Sequence, residues 1–318
     1  MSVRKKLVVF LGAFICCFLW GSAFPAIKYG YKLWNIKSFQ IWRIIRFAGV
    51  RFFLAGIIVI ILGSIISRKP LIPKKGEWGK IMLLSLFQTI GQYTFFYMGL
   101  AHTKGVNAAV INSLTTFFAI IIASLFMHME TLTFRKILGC IFGFSGVFMV
   151  NITPNGFGFK PLGDGLVMLS AVCYGVSSCL IKKYSEEHDT VMLSGYQFAF
   201  GGLVMTILGY IGIVITGDSA GMPILQYSRS NMKAVIVLIY LALVSSIAYT
   251  LWGLLLKKND VSRVSVVGFM TPVIAVILSA IFLNEADSLT VDYIFGLILI
   301  ITGIIIVNRK NHVETIDN

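Results

Sequence analysis

The chain has 318 residues, of which 57% are hydrophobic and only 13% charged, and its mean hydropathy is +0.87. A soluble domain carries about twice that share of charge, so a water-soluble fold is excluded and the bilayer must be part of the solvent. The formal net charge of +14 does not mark a nucleic-acid binder, because the cations form no single basic face and stand in short clusters between apolar runs, such as Arg4-Lys5-Lys6, Arg68-Lys69, Lys182-Lys183 and Arg309-Lys310.

Apolar runs bounded by cations or turn residues predict ten transmembrane helices. Helix 1 covers residues 7–27. Its basic prefix and the small residues Gly21-Ser22-Ala23 imitate a secretory signal peptide, but the segment has a counterpart later in the chain and reads as a retained span. Helix 2 covers 47–66, with Arg43, Arg46 and Arg51 around its start. Arg43 and Arg46 are expected to snorkel to the interface. Arg51 lies deeper, and either pairs with a neighbouring polar group or attracts an anion. Helix 3, residues 80–101, places Gln88 and Gln92 one turn apart with Tyr93 beside them. Helix 4, residues 105–127, carries Asn112, Thr115 and Thr116 and is followed by Glu130.

Helix 5, residues 136–151, is the shortest, and its Gly139-x-x-x-Gly143 pattern allows close helix approach. Helix 6 covers 162–181 and carries Tyr174; the acidic stretch Glu186-Glu187-His188-Asp189 after it reads as a solvated loop. Helix 7 covers 190–216. Helix 8, residues 232–256, offers Ser245, Ser246 and Tyr249, with Trp252 near its end as an interfacial anchor or a simple packing residue. Helix 9 covers 261–283 and is followed by Glu285, and helix 10 covers 291–308.

Outside the stretch Lys28–Arg51, the cations concentrate in the even-numbered loops and at both termini, which predicts both termini in the cytoplasm and a multi-pass protein of the cytoplasmic membrane. The five cysteines all sit inside apolar segments, and neither a disulfide framework nor a metal site is expected. The four histidines are scattered over loops and tails, no Walker-type loop occurs, and no catalytic residue or cofactor is assigned.

The two halves of the chain resemble each other. Trp20-Gly21 with Lys28 matches Tyr174-Gly175 with Lys182; Val106, Thr116 and Glu130 match Val261, Thr271 and Glu285; Gly139, Gly146 and Asn151 match Gly296, Gly303 and Asn308. Five spans per copy is odd, so the second copy enters the membrane upside down. Inverted repeats are a transporter architecture with a substrate site between the halves. The fold is therefore read as all-α and integral to the membrane, with ten helices in two inverted repeats, residues 1–155 and 156–318.

Several of these segments together carry a family resemblance: Trp20-Gly21-Ser22-Ala23-Phe24, Arg51-Phe52-Phe53-Leu54-Ala55, Tyr97-Met98-Gly99-Leu100, and Thr271-Pro272 with Glu285. In their order and duplication the chain resembles the drug/metabolite transporter superfamily, specifically its ten-helix EamA-type group. The resemblance implies a cavity lined by helices 1–4 and 6–9, with helices 5 and 10 peripheral. Phe117 stands where the family usually has the proline seen at Pro272, which leaves a kink in helix 4 open.

A polar solute that loses its water at mid-depth needs replacement partners there. Gln88, Gln92, Tyr93, Asn112 and Tyr249 are the candidate substrate contacts, unless the amides and hydroxyls only bind helices together. Trp20 and Tyr174, equivalent in the two copies, either gate and stack on the solute or pack. Arg51, Glu130 and Glu285 are gating or structural, each glutamate otherwise capping the next helix. The expected function is secondary transport of a small polar organic metabolite, amino-acid-like or drug-like. The alternatives are an integral-membrane lipid-processing enzyme and a lipid or carrier flippase. None of the 13 acidic residues falls at mid-span, which favours facilitated diffusion or exchange. The expected partners are the solute and the lipid bilayer, with oligomeric state open.

Overall fold

The computed structural model describes residues 3–129, 131–150, 152–153, 156–217, 231–258, 270–286 and 290–308. Helical segments occur at all ten expected places. Helix 1 is Val3–Leu33 and helix 2 is Ile41–Ser67. Helix 3 is built from Trp78–Leu84, a π-helical Ser85–Gly91 and Gln92–His102. Helix 4 joins Gly105–Asn112, Thr115–Ile121 and a π-helical Ile122–Phe126. Helix 5 is Phe134–Val150, and helix 6 runs from a π-helical Pro161–Gly165 into Leu166–Ser185. Helix 7 is Thr190–Ile215, helix 8 Met232–Lys258, helix 9 Met270–Phe282 and helix 10 Val291–Asn308. The first residues expected in helix 9, 261–269, lie outside the described residues. A short ribbon pairs Ile152–Thr153 with Gly156–Phe157 between helices 5 and 6.

Among the described residues, six helices are long and apolar enough to cross a membrane, and helices 9 and 10 provide shorter apolar stretches. Their outward faces carry exposed Ile57, Ile61 and Ile65 on helix 2, Leu203, Ile207 and Ile211 on helix 7, and Ile294, Phe295 and Ile298 on helix 10. Apolar side chains on the outside and polar groups within are the arrangement that hydrocarbon solvent selects. The protein is an all-helical integral membrane protein.

Helix packing follows the duplication. Helix 2 lies along helix 7 and helix 5 along helix 10, while helix 1 packs on helices 8 and 9 just as helix 6 packs on helices 3 and 4. The paired equivalents, helices 2 and 7 and helices 5 and 10, run antiparallel. Along helices 2 and 7, Trp42 meets Gly212, Arg46 meets Gly209, Gly56 meets Ala199 and Gly63 meets Val191. Along helices 5 and 10, Gly146 meets Ile300 and Gly303 meets Gly139 and Gly143. Equivalent helices of opposite direction are what an inverted repeat requires.

The central seam depends on glycines seven residues apart, Gly49, Gly56 and Gly63 facing Gly195, Gly202 and Gly209. A Cβ on Gly56 would collide with the Ala199 backbone, and one on Gly202 with the Phe53 backbone. Small residues replace the missing hydrophobic drive between helices in lipid by allowing backbone contact. The Gly139-x-x-x-Gly143 pattern plays the same part, receiving helix 10 at Gly303, while Gly143 also accommodates the Phe117 ring.

One expectation is corrected here and one open point is decided. Arg43 is buried rather than snorkelling, since helix 2 starts six residues earlier than the apolar run suggests, at Ile41. Helix 4 is broken although Phe117 replaces proline: Ser113 and Leu114 donate to the carbonyls of Val110 and Ile111 at 3.0 Å, a tightened turn that interrupts the α-helical ladder.

Candidate functional site

Helix 3 changes pitch where its polar residues begin. The wider π turn of Ser85–Gly91 buries Ser85, Gln88 and Thr89 against helix 7. There Gln197, fully buried, donates through Nε2 to Gln88 Oε1 at 2.7 Å and accepts from Thr89 Oγ1 at 3.3 Å. Its backbone carbonyl accepts from Ser85 Oγ at 3.0 Å and from Thr89 Oγ1 at 3.3 Å. Gly201, one turn further, leaves the room that Thr89 fills. Gln197 was not anticipated from the sequence; its signal was a lone amide in an otherwise apolar span.

One turn on, Tyr93 and Tyr249 share a hydroxyl–hydroxyl hydrogen bond of 2.6 Å. Helices 3 and 8 are equivalent members of the two repeats, so this pair joins the halves. Tyr249 also interacts with Gln88. Aromatic rings enclose the pair: Tyr93 stacks on Phe52 at 3.9 Å, and Tyr249 meets Phe198 at 4.8 Å and Trp20 at 5.3 Å. Trp252 packs on Trp20 at 5.0 Å, the packing alternative of the two expected for it.

Trp20 and Tyr174 owe their positions to the glycines that follow them. Gly21 lets helix 1 press against Ile274 and Ala275 of helix 9, and Gly175 lets helix 6 press against Phe118 and Ala119 of helix 4. Each close crossing fixes the position of the aromatic that precedes it. Trp20, Tyr93, Tyr174 and Tyr249 are half-buried, whereas Gln88 and Gln92 are buried. Among the described residues, Trp20 Nε1 and Gln92 Oε1 have no hydrogen-bond partner. Buried polar atoms without partners are costly and mark places where a ligand or water can bind. Asn112 is half-buried and ends the first segment of helix 4, just before the break.

Beside this cluster lies Arg51, 3% exposed. Its Nε donates to the Leu241 carbonyl at 3.0 Å, Nη2 to Ser245 Oγ at 2.8 Å, and Nη1 to the Tyr97 hydroxyl. Tyr97 is held in turn, its carbonyl accepting from the Tyr31 hydroxyl at 2.8 Å. A charged side chain at this depth costs about 2.5–3.5 kcal/mol on insertion scales, and three hydrogen bonds to neutral groups offset part of that.

Glu285 ties helix ends rather than mid-span elements. Lys28 Nζ donates to its Oε1 at 3.2 Å, and the Val106 backbone N–H donates to its Oε2 at 3.0 Å. The carboxylate therefore caps the start of helix 4, not the next helix in sequence, and fixes helices 1, 4 and 9 together. The equivalent Glu130 lies outside the described residues.

The acidic stretch after helix 6 is more than a solvated loop. Asp189 caps helix 7 by accepting from the N–H groups of Val191 and Met192 at 2.8 and 3.0 Å. His188 Nδ1 lies 2.7 Å from Glu77 Oε1, and Lys80 Nζ donates to His188 Nε2 at 2.5 Å. Burial pushes the Glu77 carboxyl up, but hydrogen bonds from the Lys74 N–H and from His188 outweigh it and hold the group below the usual carboxylate range. This bridge joins the loop before helix 3 to the loop before helix 7. Among the described residues no group of His, Cys, Asp and Glu could hold a metal ion.

Comparison with known proteins agrees with this architecture. The sequence pattern of the EamA-like transporter family matches residues 7–152 and 161–309. An uncharacterized transporter of Archaeoglobus fulgidus is 27% identical over 295 residues, covering 92% of this chain and 95% of that protein. The Bacillus subtilis uncharacterized transporter YvbV is 26% identical over 273 residues, covering 84% and 83%. A probable amino-acid metabolite efflux pump of Escherichia coli is 26% identical over 299 residues, covering 92% of each chain. A crystal structure with 18% sequence identity superposes with a TM-score of 0.60 over 94% of this chain and 96% of the other, a likeness of fold.

Proposed function

This chain belongs to the EamA-like transporter family, and from that premise we propose that it is a secondary transporter carrying a small polar organic metabolite, amino-acid-like or drug-like, across the cytoplasmic membrane by alternating access. The observation that carries this reading is the Tyr93–Tyr249 pair, contributed by equivalent helices of the two repeats and enclosed by Trp20, Phe52 and Phe198. Phenol and amide groups would bind the solute by hydrogen bonds while the aromatic rings form apolar walls. Rocking one repeat against the other along the glycine seam would open the cluster to each side in turn. The distribution of cations supports cytoplasmic termini, and the placing of acidic residues away from mid-span supports facilitated diffusion or exchange. The name of the E. coli relative makes amino-acid metabolites the first solutes to test. Liposomes containing the purified protein should take up at least one labelled amino-acid metabolite faster than protein-free liposomes, with Trp20→Ala reducing the rate. Uptake equal to the protein-free control for the whole panel would reject the reading.

A further inference from the structure

Arg51 is the eleventh residue of helix 2, about 15 Å along it at 1.5 Å per residue. Its partners Leu241 and Ser245 stand at the middle of helix 8, Met232–Lys258. The guanidinium is therefore a fixed positive charge deep in the membrane. All three of its hydrogen-bond partners are neutral, and of its five N–H donors two take no partner among the described residues. Lys28 with Glu285, Lys80 with Glu187, and His188 with Glu77 form ion pairs at helix ends and loops. An intramembrane arginine pairs either with an acid or with backbone carbonyls. Among the described residues Arg51 has the carbonyl but no acid, and its charge acts electrostatically on Tyr93 and Tyr249, the phenol pair at the proposed solute site.

We propose that the transported solute carries a carboxylate and that Arg51 supplies its countercharge. This rests on the transport reading and adds the charge class of the solute. A carboxylate seated against the Tyr93 and Tyr249 hydroxyls gains the attraction of Arg51 in a medium of low dielectric, while an amine in the same place is repelled. Two N–H groups remain beyond those bonded to Leu241, Tyr97 and Ser245, and a guanidinium is the cation whose planar geometry suits a carboxylate. Binding also changes the charge of the interior, which is positive when the carrier is empty and neutral when a monoanion is bound. The loaded carrier therefore reorients more easily than the empty one, and exchange is favoured over net flux.

The aromatic walls suggest the probes: N-acetyl-phenylalanine as a monoanion, its neutral amide, and phenethylamine as a cation, each tested for uptake into liposomes containing the full-length protein. The expected result is acid uptake at least about tenfold above that of the amide or the amine. Arg51→Gln should remove the preference for the acid, and Arg51→Lys should keep it. If Arg51→Gln does not fold, the wild-type ratio of acid to amide decides. Uptake of the amide or amine as fast as the acid, or Arg51→Gln keeping acid selectivity, would overturn the inference and leave the transport reading standing. Wild-type protein that moves none of the three but carries a solute of the metabolite panel overturns the inference alone, and one that carries no solute of either set overturns both.

Discussion

Removing one hydroxyl from the phenol pair separates a role in binding from a role in packing. Tyr249→Phe keeps the ring contacts to Trp20 and Phe198, at 5.3 and 4.8 Å, and deletes only the O–H that bonds Tyr93 at 2.6 Å. It leaves the Tyr93 hydroxyl without that partner, at a cost of about 1–3 kcal/mol. If a solute draws on the same two hydroxyls, the loss appears as a roughly 5- to 150-fold weaker apparent affinity. Tyr93→Phe should behave alike. The double variant should be little worse than either single one, because the two hydroxyls hold each other and the solute as one unit that either deletion already breaks. The assay is the concentration dependence of solute uptake into liposomes for the four proteins, with thermal midpoints in detergent as the folding control. Additive losses, or wild-type affinity in both single variants, would refute a shared role in binding.

Other expectations follow from the same geometry. Gly56→Leu should drive helices 2 and 7 apart and lower the thermal midpoint sharply, whereas Gly79→Leu, where a side chain meets open space, should not; equal midpoints would remove the seam from the account. Glu77 has a depressed pKa, so its contribution to stability is complete above the ordinary carboxylate value of about 4.3 and is lost as pH falls below it. Glu77→Gln should therefore flatten the wild-type loss of thermal stability below about pH 4, and an unchanged profile would contradict the bridge to His188. Glu285→Ala should cost about 1–3 kcal/mol, with Lys28→Ala added to it costing less than the sum, as measured by a double-mutant cycle of denaturation.

Most of the architecture was legible because hydrocarbon imposes length and polarity on every span. The duplication was readable at Trp20-Gly21 and Tyr174-Gly175, and the structure supplies its reason, a close helix crossing at each glycine. The partners of these positions were not legible. Gln197 bonds Gln88 across 109 residues, and His188 reaches Glu77 across 111, pairings that arise only once the helices are assembled. The glycines seven apart in helices 2 and 7 were visible, but each series gains meaning only from the other. The break in helix 4 stays open in the sequence because proline is its usual sign, whereas the turn at Ser113 and Leu114 tightens without one.

The central claim, that a solute site between the repeats is reached alternately from both sides, is tested most directly by counterflow. Liposomes containing the protein are loaded with unlabelled solute and diluted into a trace of the same solute carrying a label, with no pH gradient imposed. The account predicts a transient accumulation of label above its outside concentration, driven by exchange alone and strongly reduced in Tyr249→Phe. Absence of accumulation until a pH gradient is applied, or accumulation no greater than in protein-free liposomes, would contradict it.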